Sequence, residues 1–472
     1  MGQKASVDEN MRMKSVERPM LATLLFLMFL SPLSSTTGAA MNRPMSVYQL
    51  PTTSSVPFPA TGEVPRIVPV SGVIRVLVIA VAFSDVNYTL SVAQLRKTWF
   101  VTVPAYYHEI SYGKLMIQGD VYGWYRLPYP ESHYGRDCHD IDDSDCSGSN
   151  HSWQIADDAV SLAKKDVDFG NYEYFVFLHS GRGQETSHMK DDVWSVTYVD
   201  GVSIRTNSKT LTRFNVVPEL EEPPYVPNGD WVLEFAHNLG MPDLYNSTRG
   251  PDNARTILGP WELMDKGSWN GDPPGSLPAH MTAWPKIQLG FISGSMLATV
   301  NPGVASTFTV DPSEIASSNV HAIKIPLTNA PNPSQYYLVE VRTQTGFDSA
   351  LPESGVLVTY VDETLTVGTV RIVNGDPSVS DLENAVWHVS QTFTDSQHHL
   401  TVKVTGKIGN SYQVTVTNKA QQSVPSPAMP LHVNSPCSIA DPELDVASRQ
   451  GGAIISDPRR QREFRAVYGE SP

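Results

Sequence analysis

The strand Val73-Ile74-Arg75-Val76-Leu77-Val78-Ile79-Ala80-Val81-Ala82-Phe83 is almost uninterrupted hydrophobic sequence, and it stops at Ser84-Asp85. Its length and β-branched content predict a strand buried on both faces rather than a helix. Residues 90–109 carry apolar positions at helical spacing with charged punctuation, and 114–125 alternate well enough for strands of a sheet. A helix is expected over 152–165, then a second buried strand, Tyr174-Phe175-Val176-Phe177-Leu178, ending at His179-Ser180-Gly181. Residues 232–239 read as a helix, with Asn228, Gly229 and Asp230 as start signals and Gly240 and Pro242 as stop signals. From about 301 to 418 the pattern changes to short alternating strands separated by Gly, Pro, Asn and Asp turns, which predicts an all-β domain of sandwich type. No internal repeat is visible.

The two ends differ from this interior. Lys4, Arg12, Lys14 and Arg18 precede an apolar run over 21–33, with Gly38, Ala39 and Ala40 following. That order of charge, apolar core and small residues is the form of a secretory signal, an uncleaved anchor being the alternative. The run is shorter than the ~20 residues needed to span a bilayer, and no later stretch is long and apolar enough to do so. The expectation is therefore a secreted, extracellular protein without a stable membrane span. The expected organisation is a signal peptide over 1–40, a Pro/Ser/Thr-rich linker over 41–70, an α/β domain over 71–298, a β-sandwich over 299–420 and a flexible tail over 421–472. The fold class is α+β.

Composition narrows the partners. The 472 residues contain 49 acidic against 34 basic side chains, a formal charge of −15. That sign disfavours nucleic acid, whose affinity rests on Lys and Arg neutralising phosphates. The compact basic cluster Arg459, Arg460, Arg462 and Arg465 lies in the polar tail beside Asp457 and Glu463 and reads as solvated charge. Three cysteines are too few for a disulfide scaffold. Cys138 and Cys146 flank an acidic loop and could close a small ring or remain free thiols; Cys437 has no evident role. Asp137, Asp140, Asp142, Asp143 and Asp145 in that loop make calcium a candidate, against a merely solvated loop, although the spacing is not that of an EF-hand. Asn87, Asn150 and Asn246 open glycosylation sequons.

Chemistry concentrates in Trp231-Val232-Leu233-Glu234-Phe235-Ala236-His237-Asn238-Leu239-Gly240-Met241-Pro242-Asp243-Leu244-Tyr245. A zinc peptidase helix needs two histidines four residues apart, which puts both imidazoles on one face. The glutamate after the first histidine then meets the metal-bound water as general base. A glycine three residues past the second histidine permits a sharp turn, so that a third ligand six residues past it swings back to the metal. Here Glu234 holds the base position, His237 the second histidine position, Gly240 the turn and Asp243 the third ligand position. Leu233 stands where the first histidine belongs. Taken alone, a Glu-x-x-His on an amphipathic helix is common, and Leu233, Ala236 and Gly240 could simply be a packing face.

The surrounding segments change that balance, because together with this helix they closely resemble the immune inhibitor A family of metallopeptidases. Their pattern is His-Glu-x-x-His-x-x-Gly-x-x-Asp, commonly continuing Leu-Tyr. Tyr106-Tyr107-His108-Glu109-Ile110-Ser111-Tyr112-Gly113-Lys114-Leu115 and Gly119-Asp120-Val121-Tyr122-Gly123-Trp124-Tyr125 resemble the family's segment before the active site. His179-Ser180-Gly181-Arg182-Gly183-Gln184-Glu185, with Trp194, is similar to another family stretch. Trp261-Glu262-Leu263-Met264-Asp265 is similar to its methionine turn. Pro278-Ala279-His280 and Tyr336-Tyr337-Leu338-Val339-Glu340-Val341-Arg342 continue the likeness, which runs from about 75 to about 418.

What the resemblance implies is a zincin-like metallopeptidase domain followed by an all-β sandwich domain, in a secreted zinc endopeptidase acting on proteins or peptides. Met264 would form a hydrophobic floor under the metal. Leu233 departs from the pattern, since a hydrocarbon side chain offers no lone pair and leaves two protein ligands where catalytic sites use three plus water. Two readings follow. One is a catalytically impaired relative that serves as an extracellular binding or regulatory module, with zinc weak or absent. The other is an active peptidase with a substitute third ligand, for which His179, His188 and His280 are the candidates.

Overall fold

The computed structural model describes residues 67–136, 151–221, 223–246, 255–327, 333–378 and 382–419. The expected signal peptide, most of the linker, the acidic loop with Cys138 and Cys146, and the tail with Cys437 lie outside the described residues. The described segments belong to one compact unit that ends at Ala420.

The N-terminal half is a mixed sheet with helices. It comprises β1 (Gly72–Ala82), α1 (Val92–Ile110), β2 (Leu115–Arg126), α2 (Glu131–Gly135), α3 (Trp153–Ala163), β3 (Tyr174–Arg182), α4 (Gln184–Ser187), β4 (Val196–Arg205), β5 (Thr210–Leu220), α5 (Asn228–Asn238) and α6 (Ala283–Gln288). The sheet order is β2-β1-β3-β5-β4. Neighbours in the first four positions are parallel, whereas β4 joins β5 antiparallel and forms an edge.

The unbroken apolar run of β1 follows from burial of both faces. Val76, Val78 and Ala80 face a cluster with Val176 and Leu178 of β3 and with helices α1 and α5. Leu77, Ile79 and Val81 face the opposite cluster, with Phe175, Phe177 and the α3 residues Ile155, Ala159 and Val160. The linker expected over 41–70 does not stay solvated to its end: Ile67 is buried in the first cluster, and Val70 donates to the Leu289 carbonyl at 3.1 Å.

The C-terminal half is strand-rich. It contains β6 (Leu297–Thr299), β7 (Ser306–Val310), β8 (Ala322–Pro326), β9 (Gln335–Arg342), β10 (Gly355–Asp362), β11 (Val370–Ile372), β12 (Thr392–Asp395), β13 (Leu400–Ile408) and β14 (Ser411–Asn418). These form one sheet of order β11-β10-β9-β8-β6 and another of order β12-β13-β14-β7. Ile323, Ile325, Val339 and Val358 of the first and Val402, Val404, Val414 and Val416 of the second share one hydrophobic core.

The strand-rich half is tied to the mixed half by polar groups as well as apolar ones. Fully buried Arg342 pairs with Asp348 at 2.7 Å and donates to the carbonyls of Trp261 and His280. Glu340 Oε1 accepts from the Ala283 amide at 2.8 Å.

Candidate active site

The helix that carries Glu234 and His237 begins four residues earlier than its apolar pattern suggests. Asn228, Gly229 and Asp230 lie inside α5 rather than before it, and the cap position is Pro227, which supplies no side-chain hydrogen bond. Tertiary contacts replace the missing cap. Ser195 Oγ donates to Asp230 in the first turn at 2.8 Å, and Trp231 Nε1 donates to the Pro218 carbonyl at 3.0 Å. Tyr107 on α1 donates its hydroxyl to the Val232 carbonyl at 2.7 Å, bracing the middle of the helix. The end falls where the sequence placed it: Gly240 adopts φ +99°, a left-handed conformation that side chains with a β-carbon rarely take.

Leu233 is buried in the cluster that also holds Val232, Phe235, Ala236, Met241 and Met264. It lies one turn before His237 and hence on the same helix face. Met264 is fully buried in the same cluster, its carbonyl accepting from the Leu244 amide at 2.9 Å. Glu262, two residues away, accepts from the Met264 amide and from both Thr282 donors. Burial pushes the Glu262 carboxyl up to about 7 despite those donors.

Glu234 is fully buried and held by the two strands beneath it. Thr197 of β4 donates to Glu234, its hydroxyl shared between Oε2 and the carbonyl oxygen, and Asn215 of β5 donates to that carbonyl at 2.7 Å. Asn238 reaches back to Asn215 Oδ1, so the polar groups form a chain along the α5–β5 seam. Burial raises the Glu234 carboxyl to about 7, opposed by attraction to His237 and the Thr197 hydrogen bond.

His237 is fixed at both nitrogens. Its Nδ1 donates to the Met241 carbonyl at 2.7 Å, and Nε2 stands 3.3 Å from Asp243 Oδ1. Burial alone would depress the imidazole, but the Asp243 carboxylate outweighs it and lifts the group to about 9. The turn through Gly240 therefore brings Asp243 back to His237 as the spacing predicts. At the three expected ligand positions there are two donors, His237 Nε2 and Asp243 Oδ1. Leu233 offers none, so this set is one short of a catalytic zinc site.

The histidines considered as substitutes are placed elsewhere. His280 Nε2 contacts Glu109 at 2.8 Å and its Nδ1 contacts Lys286 at 3.0 Å, so both ring nitrogens are engaged. His188 caps α4 in an exposed, left-handed conformation. His179 packs on the Phe83 ring, 5.3 Å between centroids. Along β3 it shares the face of Phe175 and Phe177, which belong to the cluster opposite α5. Thr197 and Asn215, which hold Glu234, were not identified from the sequence. Their signal was weak, being polar positions inside two strands that were not read as strands.

Residues 79–292 match the family described as immune inhibitor A peptidase M6, catalytic domain. An Arthroderma benhamiae protein named as a secreted metallopeptidase is 25% identical over 323 residues, covering 54% of this chain and 47% of the relative. Pre-pro-metalloprotease PrtV of Vibrio cholerae is 24% identical over 232 residues, 43% of this chain and 25% of PrtV. Immune inhibitor A of Bacillus thuringiensis subsp. alesti is 24% identical over 216 residues, 38% of this chain and 30% of that protein. The matched regions thus span less than half the length of these relatives. The matched stretch contains the α5 helix, its flanks and the Trp261–Asp265 segment, so the likeness read from the motifs coincides with the match of residues 79–292 to the immune inhibitor A metallopeptidase catalytic domain.

Proposed function

We propose that this chain is a secreted, catalytically impaired member of that family, with a zincin-like domain followed by a β-sandwich, acting outside the cell as a binding or regulatory module for a protein or peptide. The observation that carries the reading is Leu233: a buried hydrocarbon occupies the helix position one turn before His237, and the cluster around it is apolar. Zinc held there by His237 and Asp243 alone would be weak or absent, because affinity depends on several deprotonated ligands acting together. Without a metal-activated water, Glu234 has the position of a general base and nothing to deprotonate.

The remaining architecture favours peptide binding over a purely structural role. β4 is the edge of the mixed sheet and carries Thr197, the residue that holds Glu234. An extended peptide adds naturally along such an edge. Weighing against an active enzyme with a substitute ligand are the engaged nitrogens of His280, the exposed site of His188 and the opposite-face placement of His179.

The test is hydrolysis of an unfolded protein substrate by the purified full chain, with and without a zinc chelator. No chelator-sensitive cleavage is expected. Chelator-sensitive turnover would overturn the impairment; its loss in His179→Ala or His188→Ala would identify a substitute ligand, and its survival would point to a metal held without them.

A further inference from the structure

Asp230 lies four residues before Glu234, on the same face of α5 and one turn nearer its start. It does not stand alone. Asp230, Glu185 of α4 and Glu221 immediately after β5 are all buried, and one carboxylate oxygen from each lies within 4.8 Å of the other two.

Protein donors fix the other side of each carboxylate. The Ser195 amide donates to Glu185 Oε1, and the Ser195 hydroxyl donates to Asp230 Oδ2 at 2.8 Å. Thr186 donates its hydroxyl to Glu221 Oε2 at 2.6 Å. These bonds orient the groups while leaving oxygens turned toward a common point. Glu185 Oε2 and Asp230 Oδ1 are buried and have no hydrogen-bond partner among the described residues. Gly183 makes the approach possible: a β-carbon built there would overlap Glu185 Oε2 and lie 2.5 Å from Glu221 Oε1.

Three buried carboxylates brought together repel one another, and each pays a desolvation cost when ionised. Burial and the neighbouring acids accordingly push Asp230 well above the usual carboxylate range. Either protons or a cation must offset that charge. Shared protons offset part of the charge through carboxyl–carboxylate hydrogen bonds, whereas one cation engages an oxygen of all three groups at once.

We propose that Glu185, Glu221 and Asp230 form a calcium site that pins the first turn of α5 to α4 and to the end of β5. Every donor in the set is oxygen, which suits a hard cation rather than zinc or copper. Oxygens up to 4.8 Å apart fit around one ion with bonds of about 2.3–2.6 Å, the range calcium adopts, and calcium's tolerance of irregular geometry suits ligands from three separate segments. Waters complete the shell. The site is distinct from the His237–Asp243 pair and stands whether or not the chain hydrolyses peptides.

The full chain is stripped with EGTA and titrated with calcium chloride, with thermal unfolding as the readout. Saturating calcium should raise the melting temperature by on the order of 5 °C at a hundred-fold excess over the dissociation constant. Glu185→Gln should fold without calcium, since it removes one repelling charge, and should lose the calcium-dependent shift. Asp230→Asn is the second variant and should behave likewise. Terbium bound to the unaltered chain should luminesce through Trp231, adjacent in sequence to Asp230, and be displaced by calcium. The proposal is overturned by the absence of any shift or terbium signal in the unaltered chain. It is equally overturned by a shift that persists in both variants, which would place calcium elsewhere, or by magnesium acting as well at the same concentrations.

Discussion

His237 Nε2 faces Asp243 Oδ1 across 3.3 Å, and the ring is held in that orientation by Nδ1 donating to the Met241 carbonyl. The bond at Nδ1 turns Nε2 toward the shared space, the orientation that ligation by Nε2 requires. On the proposed reading, two of the three expected ligand positions present donors to one space, while Leu233 at the third is buried in the core.

Leu233→His is therefore expected to raise zinc affinity by on the order of 100-fold or more, because it restores a complete donor set on one helix face. Equilibrium dialysis against a chromogenic zinc chelator measures the change directly. An affinity equal to that of the unaltered chain would mean that the site has lost more than one ligand.

The same position has a structural cost. Leu233 is buried within the α5 cluster, so Leu233→Ala should destabilise the fold by about 2–5 kcal/mol in urea unfolding. Leu233→His should also be destabilised in the absence of metal, with an unpaired imidazole left in the core, and should recover when zinc is added. A metal-free Leu233→His as stable as the parent would show that the cluster tolerates polarity there.

The sequence made some of this arrangement readable and hid the rest for identifiable reasons. β1 could be read because both its faces are covered, giving an unbroken apolar run. Gly240 and Asp243 could be read because a turn of fixed length needs a glycine at one place and a ligand at another. β4 and β5 escaped notice because Thr197 and Asn215 interrupt their apolar pattern, and those polar residues are present to hold Glu234. The early start of α5 escaped because its support is tertiary, from Ser195 and Tyr107, rather than a local cap. Glu185, Glu221 and Asp230 come from three separate segments, so nothing in linear spacing announces that they meet.

A second test concerns the polar link between the halves. Arg342 and Asp348 are fully buried at 2.7 Å, and Arg342 also reaches the Trp261 carbonyl at 2.7 Å. Arg342→Met removes the cation paired with Asp348 and with Glu314 at 3.6 Å, leaving buried acidic groups without it, and should cost about 3–5 kcal/mol in denaturant unfolding. Replacing Arg342 and Asp348 together should cost less than Arg342→Met alone. A single variant within experimental error of the parent would contradict the role assigned to this pair.

In the EGTA-treated chain Glu262 and Glu131 contribute to the pH dependence of stability, beside Glu234, Asp230 and His237, which are also raised. Burial raises Glu262 to about 7, and burial with nearby Asp192, Asp85 and Asp191 raises Glu131 to about 8. Both are acids lifted above their unfolded values, so the folded chain binds more protons than the unfolded one. Their contribution is fully present below about pH 4.5 and is lost as the pH rises through 7 to 8. The melting temperature should fall from pH 5 to pH 8.5, and Glu262→Gln should flatten that fall by on the order of 2 kcal/mol. A fall of unchanged steepness in the variant would assign the dependence to other groups.

The zinc content of the unaltered protein, after purification in zinc-containing buffer and removal of loosely held metal, decides whether the His237–Asp243 pair holds a catalytic metal. With Leu233 in the first ligand position, far less than one zinc per chain should remain. A full equivalent of tightly bound zinc would overturn the impairment, because it would require a donor beyond His237 and Asp243.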